Sequence, residues 1–461
     1  MFSNLFKAKT FPNKTFLIGV ISVVPIFSDS EAYANDALTF HGNRLKEMSL
    51  DVSKDTGIDK IFILYDLDNV SVSYQSSSGN VRWMRYSNLG GAFSEELSDL
   101  SVDGNIYTLS SPVGDSGYII YDNDRAYTFW LVDYSNYKLE IGNINIPSSQ
   151  ECDTAELDIE CSASPIHFYT ISGRQETLDR DITVEYNTLL WNDESQEYIQ
   201  ESLVKSFASI SDRILVTPPP YCNTYFTISG DRFLRYWDMP QSKESALYVT
   251  TATDCHTEAI QNDDNSDDSS NRIDTDVDGL GGSAPCEISF NAFVTDAVIH
   301  NEWQMANDEE FEDITYRINE QNFTYSFTEE GVTYVRYIGS NSDGSCESYG
   351  DVYTVSIGAS ELLIPNAFSP NGDGVNDIWK VSYRSLIDFE CWIFDKQGHQ
   401  LYHFNNPSGG WDGKHNGKIV KSGVYYYVIQ ATGSDGKKYK RSGDINIIKF
   451  RGNSSSVATD N

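Results

Sequence analysis

The chain has 461 residues, enough for about three or four domains of roughly 100–150 residues each. It carries 29 Tyr and 23 Phe but almost no Leu/Ala/Glu/Lys helical blocks, which predicts a mainly β fold, because aromatic side chains suit half-buried pleated surfaces. A formal net charge of −35 repels phosphate backbones and excludes nucleic acid from the expected partners.

Residues 1–34 read as a signal peptide. Lys7, Lys9 and Lys14 form a basic region, "FLIGVISVVPIF" at residues 16–27 is an apolar run, and Ala32-Tyr33-Ala34 is a small-x-small cleavage site. The apolar run is short of the about 20 residues that span a bilayer. No Cys follows the cut, so the signal is not of the lipoprotein type. No later stretch reads as a transmembrane segment. The mature chain is therefore expected to be soluble once it has passed through the periplasm.

Residues 35–150 read as a β-sandwich, with short aromatic strands such as "KIFILYDL", "VRWMRY" and "AYTFWLVDY" separated by turn residues. Residues 151–260 read as a second Ig-like β domain. Within it "SQEYIQESLVKSFASI" (residues 195–210) is predicted to be its one helix, since Val204, Phe207 and Ile210 fall at helical offsets.

Residues 261–285 are acidic, rich in Ser and Gly, and without apolar periodicity, so they are expected to be a disordered linker. Inside them "DTDVDG" (residues 274–279) has the D-x-D-x-D-G spacing of a calcium loop. Pro285 stands where the bidentate Glu of that loop belongs, so the pattern is incomplete.

Residues 286–358 hold Cys286, Trp303 and Cys346, spaced like the Cys…Trp…Cys of an immunoglobulin-like sandwich, in which an indole packs on an inter-sheet disulfide. The stretch "YSFTEEGVTYVRYIGSNSDGSC" resembles the end of a polycystic-kidney-disease (PKD) type repeat, which implies a spacer or binder. Seven cysteines suit an oxidising compartment. The expected pairs are Cys152 with Cys161, Cys222 with Cys255, and Cys286 with Cys346. Cys391, among apolar neighbours in "FECWIFD", is left as a buried thiol. No CxxC exists to support zinc or thioredoxin-like chemistry.

Residues 359–450 form the last expected domain, and from Leu362 to Phe450 the chain is slightly basic, so nearly all the excess acid lies upstream. They carry a series of blocks: Pro365-Asn366, Phe368-Ser369-Pro370, Asn371-Gly372-Asp373-Gly374, Asn376-Asp377, Trp411-Asp412-Gly413, Gly417, and Gly423-Val424-Tyr425. "ECWIFD", "YYYVIQA" and "INIIKF" read as strands of a small sandwich, with glycines where turns need positive φ. In content and order these blocks resemble the gliding-motility-associated C-terminal domain, the type B sorting domain of the type IX secretion system in Bacteroidota. The resemblance implies export through the outer-membrane translocon, a partner outer-membrane barrel of the SprF/PorP kind, and anchorage at the cell surface. The tail, residues 451–461, runs past the point where such domains usually stop.

The polar loop invites a second reading. Asn371, Asp373 and Asp377 offer oxygens to Ca²⁺, a hard cation that wants about six to eight of them. Asn and Asp also cap turns through backbone amides with no metal at all. Turn and sorting structure is the expectation here, with calcium the one cofactor the residues suggest.

For catalysis the sequence offers little. "GDSG" (residues 114–117) resembles the nucleophile box of chymotrypsin-like peptidases, yet His41 is the only histidine upstream and the box reads as a turn. No HExxH, GxSxG, Walker loop or GxGxxG is present. The expectation is a non-enzymatic surface protein whose β domains serve adhesion or envelope-partner binding, with an unknown surface ligand. One alternative is an accessory (PorA-like) signalling or attachment component of the secretion system. Another is a secreted hydrolase using Trp83, Trp130 and Trp237 as exposed carbohydrate platforms; the competing reading of those tryptophans is core.

Overall fold

The computed structural model describes residues 38–208, 211–262, 271–273 and 279–448. The signal peptide with Ala32 and Ala34, residues 274–278 of the D-x-D-x-D-G stretch, and the tail lie outside the described residues. The described residues are mainly β, and the α-helix Arg232–Tyr236 is five residues long. No helix among them is long and apolar enough to cross a membrane. They divide into two compact units. One runs to Lys138 and resumes over Pro165–Leu178; the other comprises Leu139–Ser164 and the chain from Asp179 onward.

In the first unit, Lys60–Leu64 and Arg125–Asp133 pair in parallel at the centre of a six-stranded sheet. Their sequences, KIFIL and RAYTFWLVD, are near-continuous apolar runs rather than alternating ones, as expected where both faces of a sheet are covered. One face packs Phe62, Trp83, Tyr118 and Phe129 against Phe40 and Val72 of a four-stranded sheet. The other face carries Tyr86 and Trp130. A hairpin, Ile166–Tyr169 with Gln175–Leu178, meets them there. The Tyr169 ring lies 5.8 Å from that of Trp130, the Tyr86 hydroxyl donates to the Tyr169 carbonyl at 3.2 Å, and Gly91 N donates to Ile171 O at 2.8 Å. This hairpin was expected within the domain of residues 151–260. It belongs instead to the first unit, because large aromatic side chains on the back of the six-stranded sheet need cover. Full burial of each is worth roughly 1.5–3 kcal/mol.

The second unit begins with a sandwich of three and four strands. Glu140–Asn145, Ala155–Ser162 and Arg213–Val216 form one sheet; Glu197–Phe207, Ile182–Asn192, Thr227–Gly230 and Gln241–Glu244 form the other. The predicted helix over residues 195–210 is not formed as far as residue 208, and Ile210 lies outside the described residues. Glu197–Phe207 is a strand, paired with Ile182–Asn192 from Ile182↔Phe207 through to Asn192↔Glu197. Period two won over the helical offsets: Leu203 and Phe207 pack on the core, and Val204 is 61% exposed. At one end Arg180 and Asp231 form a buried ion pair at 2.8 Å, and Asp231 caps the short helix through the amides of Phe233 and Leu234.

The next sandwich changes the place of the linker expected at residues 261–285, of which residues 263–270 and 274–278 lie outside the described residues. Cys255–Gln261 pairs with Cys286–Val294 in one sheet, and Leu280–Gly282 runs parallel to Tyr353–Ile357 in the other. The acidic stretch is therefore an insertion between two edge strands of one domain. Composition marked it as a break but carried no sign of which strands it joins.

Trp303 is fully buried in this core, its ring 5.2 Å from Tyr337 and 5.5 Å from Phe290. No disulfide lies beneath it. Cys286 opens its strand with its thiol against the Gly281 carbonyl, whereas Cys346 sits beyond the end of Gly331–Ser340. The bond that forms is Cys152–Cys346, joining this sandwich to the preceding one across a separation of 194 residues. Cys161, Cys222, Cys255, Cys286 and Cys391 form no disulfide, so none of the three expected pairs forms. Spacing along the chain favoured pairs inside a domain, but Cys152 lies in an exposed bend and bonds to Cys346, which is buried where the loop after Gly331–Ser340 closes on Asn341.

The last domain is a five-stranded sheet, in order Ala367–Phe368, Lys438–Ile447, Gly423–Gly433, Leu386–Phe394 and Gln400–Phe404. Two small hairpin-like sheets, Glu361–Leu363 with Ser382–Arg384 and Lys414–His415 with Lys418–Ile419, complete it. Its core holds Trp379, Phe389, Cys391, Ile393, Trp411 and Ile429.

Candidate functional site

The sequence blocks of the last domain are far apart in the chain and meet at one indole. Ala367–Phe368 pairs in parallel with the end of Lys438–Ile447, which places the Phe368 ring 5.6 Å from Trp411. Trp411 is fully buried and meets Tyr425 edge-on at 5.4 Å. Trp379 pairs with Trp411 through the backbone, and its indole donates to the Pro365 carbonyl at 2.7 Å. The Trp411 indole donates to Lys414 O at 3.0 Å. The Asn366 carbonyl accepts from Asn446 N at 2.8 Å, and the Tyr425 hydroxyl donates to Lys421 O at 2.7 Å.

Turn chemistry fixes the remaining positions. Asp412 accepts the Lys414 amide at 3.0 Å and its ammonium at 2.7 Å. Gly413 has φ +74°, a conformation that favours glycine, and a Cβ there would crowd Pro370 at 3.0 Å. Gly417 turns the chain between Lys414–His415 and Lys418–Ile419, and Gly423 opens the long strand Gly423–Gly433.

The polar loop folds around a single carboxylate. Asp377 accepts the amides of Asn371 (2.8 Å), Gly372 (2.7 Å) and Gly374 (2.7 Å). Asp373 accepts the Val375 amide at 2.9 Å and the Asn371 side-chain amide at 2.8 Å, while Asn371 accepts the Asp373 amide at 3.1 Å. The Gly372 amide, followed by that of Gly374, holds the Asp377 carboxyl below the usual carboxylate range. Ser369 N closes the loop on Asn376 O at 2.9 Å. The oxygens proposed for calcium thus point at the loop's own N–H groups. Among the described residues, no three His, Cys, Asp or Glu are gathered for a metal. Beside the loop lies an open groove of about 770 Å³, lined by Pro365, Phe368, Asn376, Asp377, Trp379 and, from the inserted segment, Asn271.

Two contributors to this site were not singled out in the sequence. Trp379 follows the polar loop directly, and its aromatic bulk there was the available signal. Asn271 comes from the acidic insertion, is 8% exposed, and donates to the carbonyls of Val381 (2.7 Å) and Pro407 (2.8 Å). Nothing local to Asn271 announced that contact.

The catalytic candidates are structural. Ser116 of the GDSG stretch begins the strand Ser116–Asp122, is buried, and donates to the Gly114 carbonyl at 3.2 Å. His41 is exposed at the end of Leu38–His41. Trp83, Trp130 and Trp237 are all buried, so the aromatic platforms invoked for a hydrolase are core side chains.

Comparison with known proteins agrees with this arrangement. The family model described as the CHU_C type IX secretion signal domain matches residues 362–447, and that of the fibronectin type III domain matches residues 145–245. The second match spans the hairpin assigned to the first unit, which lies in the chain between the sandwich strands Ala155–Ser162 and Ile182–Asn192. No curated protein matches the chain. Among solved structures, a tetra-tandem repeat from the extending region of a large adhesion protein is 11% identical, over 84% of this chain and 98% of that one, with a TM-score of 0.20. The FN1–FN3 domains of chicken CNTN1 are 12% identical over 67% of this chain and 98% of that one, with a TM-score of 0.21. Fibronectin(III)-like modules of CbhA from Clostridium thermocellum are 12% identical over 38% and 93%, with a TM-score of 0.17. Residues 362–447 match the type IX secretion signal domain and lie behind a match to the fibronectin type III domain, which together support a type IX secretion substrate that is secreted or held at the cell surface.

Proposed function

We propose that this chain is a non-catalytic surface protein, whose sandwich domains serve adhesion or the binding of envelope partners and whose last domain sorts and anchors it. On this reading the signal peptide delivers the chain to the periplasm. The translocon then reads the last domain, and a SprF/PorP-like outer-membrane barrel holds it at the exterior. No cofactor is required. The observation that carries the reading is the secretion signal domain itself, with its separated blocks gathered around Trp411 beside an open groove. The burial of Trp83, Trp130 and Trp237 supports the non-catalytic part, since it removes the feature that favoured a hydrolase.

The test is surface proteolysis on intact cells, comparing the full chain with one ending at Ile357. The expected result is loss of the protease-accessible form in the shortened chain, with accumulation in the periplasm. Equal accessibility of the two would remove sorting from the last domain.

A further inference from the structure

We propose that the sandwich ending at Ile357 and the sorting domain stay joined after export, because the junction between them presents no peptide that a processing peptidase can take. The proposal rests on the sorting role given above and concerns the fate of the signal once it has been read.

Domain junctions that are nicked are exposed and poorly hydrogen-bonded, since a peptidase must draw an extended stretch of backbone into its cleft. This junction is the reverse. Only Gly358, Ala359 and Ser360 separate the strands Tyr353–Ile357 and Glu361–Leu363, and none of the three is exposed. Gly358 N donates to Gly282 O at 2.9 Å, and its carbonyl accepts from Ser434 Oγ at 3.1 Å. The Ala359 carbonyl accepts from Arg384 Nε at 3.0 Å. The Ser360 carbonyl accepts from the Tyr439 hydroxyl at 2.9 Å, and its own hydroxyl donates to Asp435 at 2.7 Å. Ser360 presses so closely on the neighbouring strand that a Cβ on Gly433 would fall 2.1 Å from its Oγ.

The two domains are also tied at points distant from the junction in sequence. Ser385, fully buried, donates its amide to Ser283 Oγ at 2.7 Å and accepts the Ala284 amide on its hydroxyl at 3.1 Å. Glu330 N donates to Ser434 O at 3.2 Å. Asn271 donates to Val381 and Pro407, and Ile273 N donates to Tyr383 O at 2.8 Å, extending the small sheet of Glu361–Leu363 and Ser382–Arg384 by one more segment. Peeling the junction into a peptidase cleft would require breaking these contacts together, a sub-global opening rather than local fraying.

The test has two arms. In the first, surface-exposed protein is recovered from cells expressing the full chain, and mass spectrometry compares a peptide before the junction (residues 181–205) with one after it (residues 397–414). Equimolar recovery is expected. A surface form that ends at or before Ser360 would overturn the proposal while leaving export intact. In the second, the purified full chain is digested with a broad-specificity protease, beside a variant with a Gly-Ser-Gly-Ser insertion after Gly358. Cutting at residues 357–361 should be roughly tenfold or more slower in the unmodified chain, since opening must precede cleavage. Equal rates would overturn the proposal. If the chain never reaches the surface the export reading falls, and the second arm still decides the junction.

Discussion

Trp379 and Trp411 stand opposite each other and exchange both backbone hydrogen bonds, Trp379 N to Trp411 O at 2.9 Å and Trp411 N to Trp379 O at 3.0 Å. Each indole then leaves the pair in a different direction, one to Pro365 and the other to Lys414. The polar loop and the W-D-G turn are held to one another through this pair.

Trp411→Ala should therefore cost the sorting domain about 3–5 kcal/mol, the range for truncating a large buried aromatic. Trp379→Phe keeps most of the volume but leaves the Pro365 carbonyl unpaired, at about 1–3 kcal/mol. Urea unfolding of the full chain, followed by hydrogen exchange at the amides of residues 425–431, reads both. Equal protection in Trp411→Ala and the parent chain would contradict the assignment of Trp411 as the centre of the domain.

Asp377 gives a pH signature. Its carboxyl is held below its ordinary value by the amides of Gly372 and Gly374, so its contribution to loop order is complete above the unfolded value of 3.8. That contribution is lost as the pH falls through the lower folded value. In an NMR titration the amide protons of Asn371, Gly372 and Gly374 should shift together, with one midpoint below 3.8. Asp377→Ala should abolish the shared transition. Added Ca²⁺ should leave the three resonances in place; a saturable shift would favour the calcium reading of the loop.

The cysteines separate by chemistry. Burial pushes the Cys391 thiol up to about 12 and that of Cys255 up to about 11. The thiolate is the reactive form, so both should resist alkylation at pH 8 in the folded chain and react once it is unfolded. Mass spectrometry should then find the five thiols outside the disulfide labelled and Cys152 and Cys346 protected until a reductant is added. Reduction should lower stability by up to about 5 kcal/mol, the scale set by closing so long a loop in the unfolded chain.

Arg180 and Asp231 are 5% and 0% exposed, and each has further backbone contacts. Arg180→Ala leaves a buried carboxylate without its partner and should cost about 3–5 kcal/mol in denaturant unfolding. Replacing both by apolar residues should cost less than the two single changes added together. Strict additivity would show that the ion pair contributes no coupling.

Much of this was legible in the residues. The β class followed from Tyr and Phe content, and the secretion signal domain from ordered blocks whose turns demand Gly, Asn and Asp locally. Long-range partners were less so. Leu203 and Phe207 fit both helix and strand periods, and only the pairing of Glu197–Phe207 with Ile182–Asn192 decides between them. The hairpin around Tyr169 reads as one more sandwich strand pair until Trp130 needs a cover. The acidic insertion hides the continuity of its sandwich, because the strands that flank it lie in different sheets. Cys346 looked like an immunoglobulin core cysteine by spacing, and it is buried, but it lies past the end of Gly331–Ser340, where Cys152 rather than Cys286 meets it.

If the chain is held at a surface as proposed, the Cys152–Cys346 bond sets how it would carry load. A pull applied between Leu139 and Ile447 reaches Cys152 and crosses directly to Cys346, so the chain from Asp153 to Ser345 is left out of the force path. The fibronectin-like strands and the acidic insertion inside that covalent bypass would feel shear only through side contacts. Extended, that hidden length is on the order of 65 nm at roughly 3.4 Å per residue. It becomes available to a stretched molecule only after the bond is reduced.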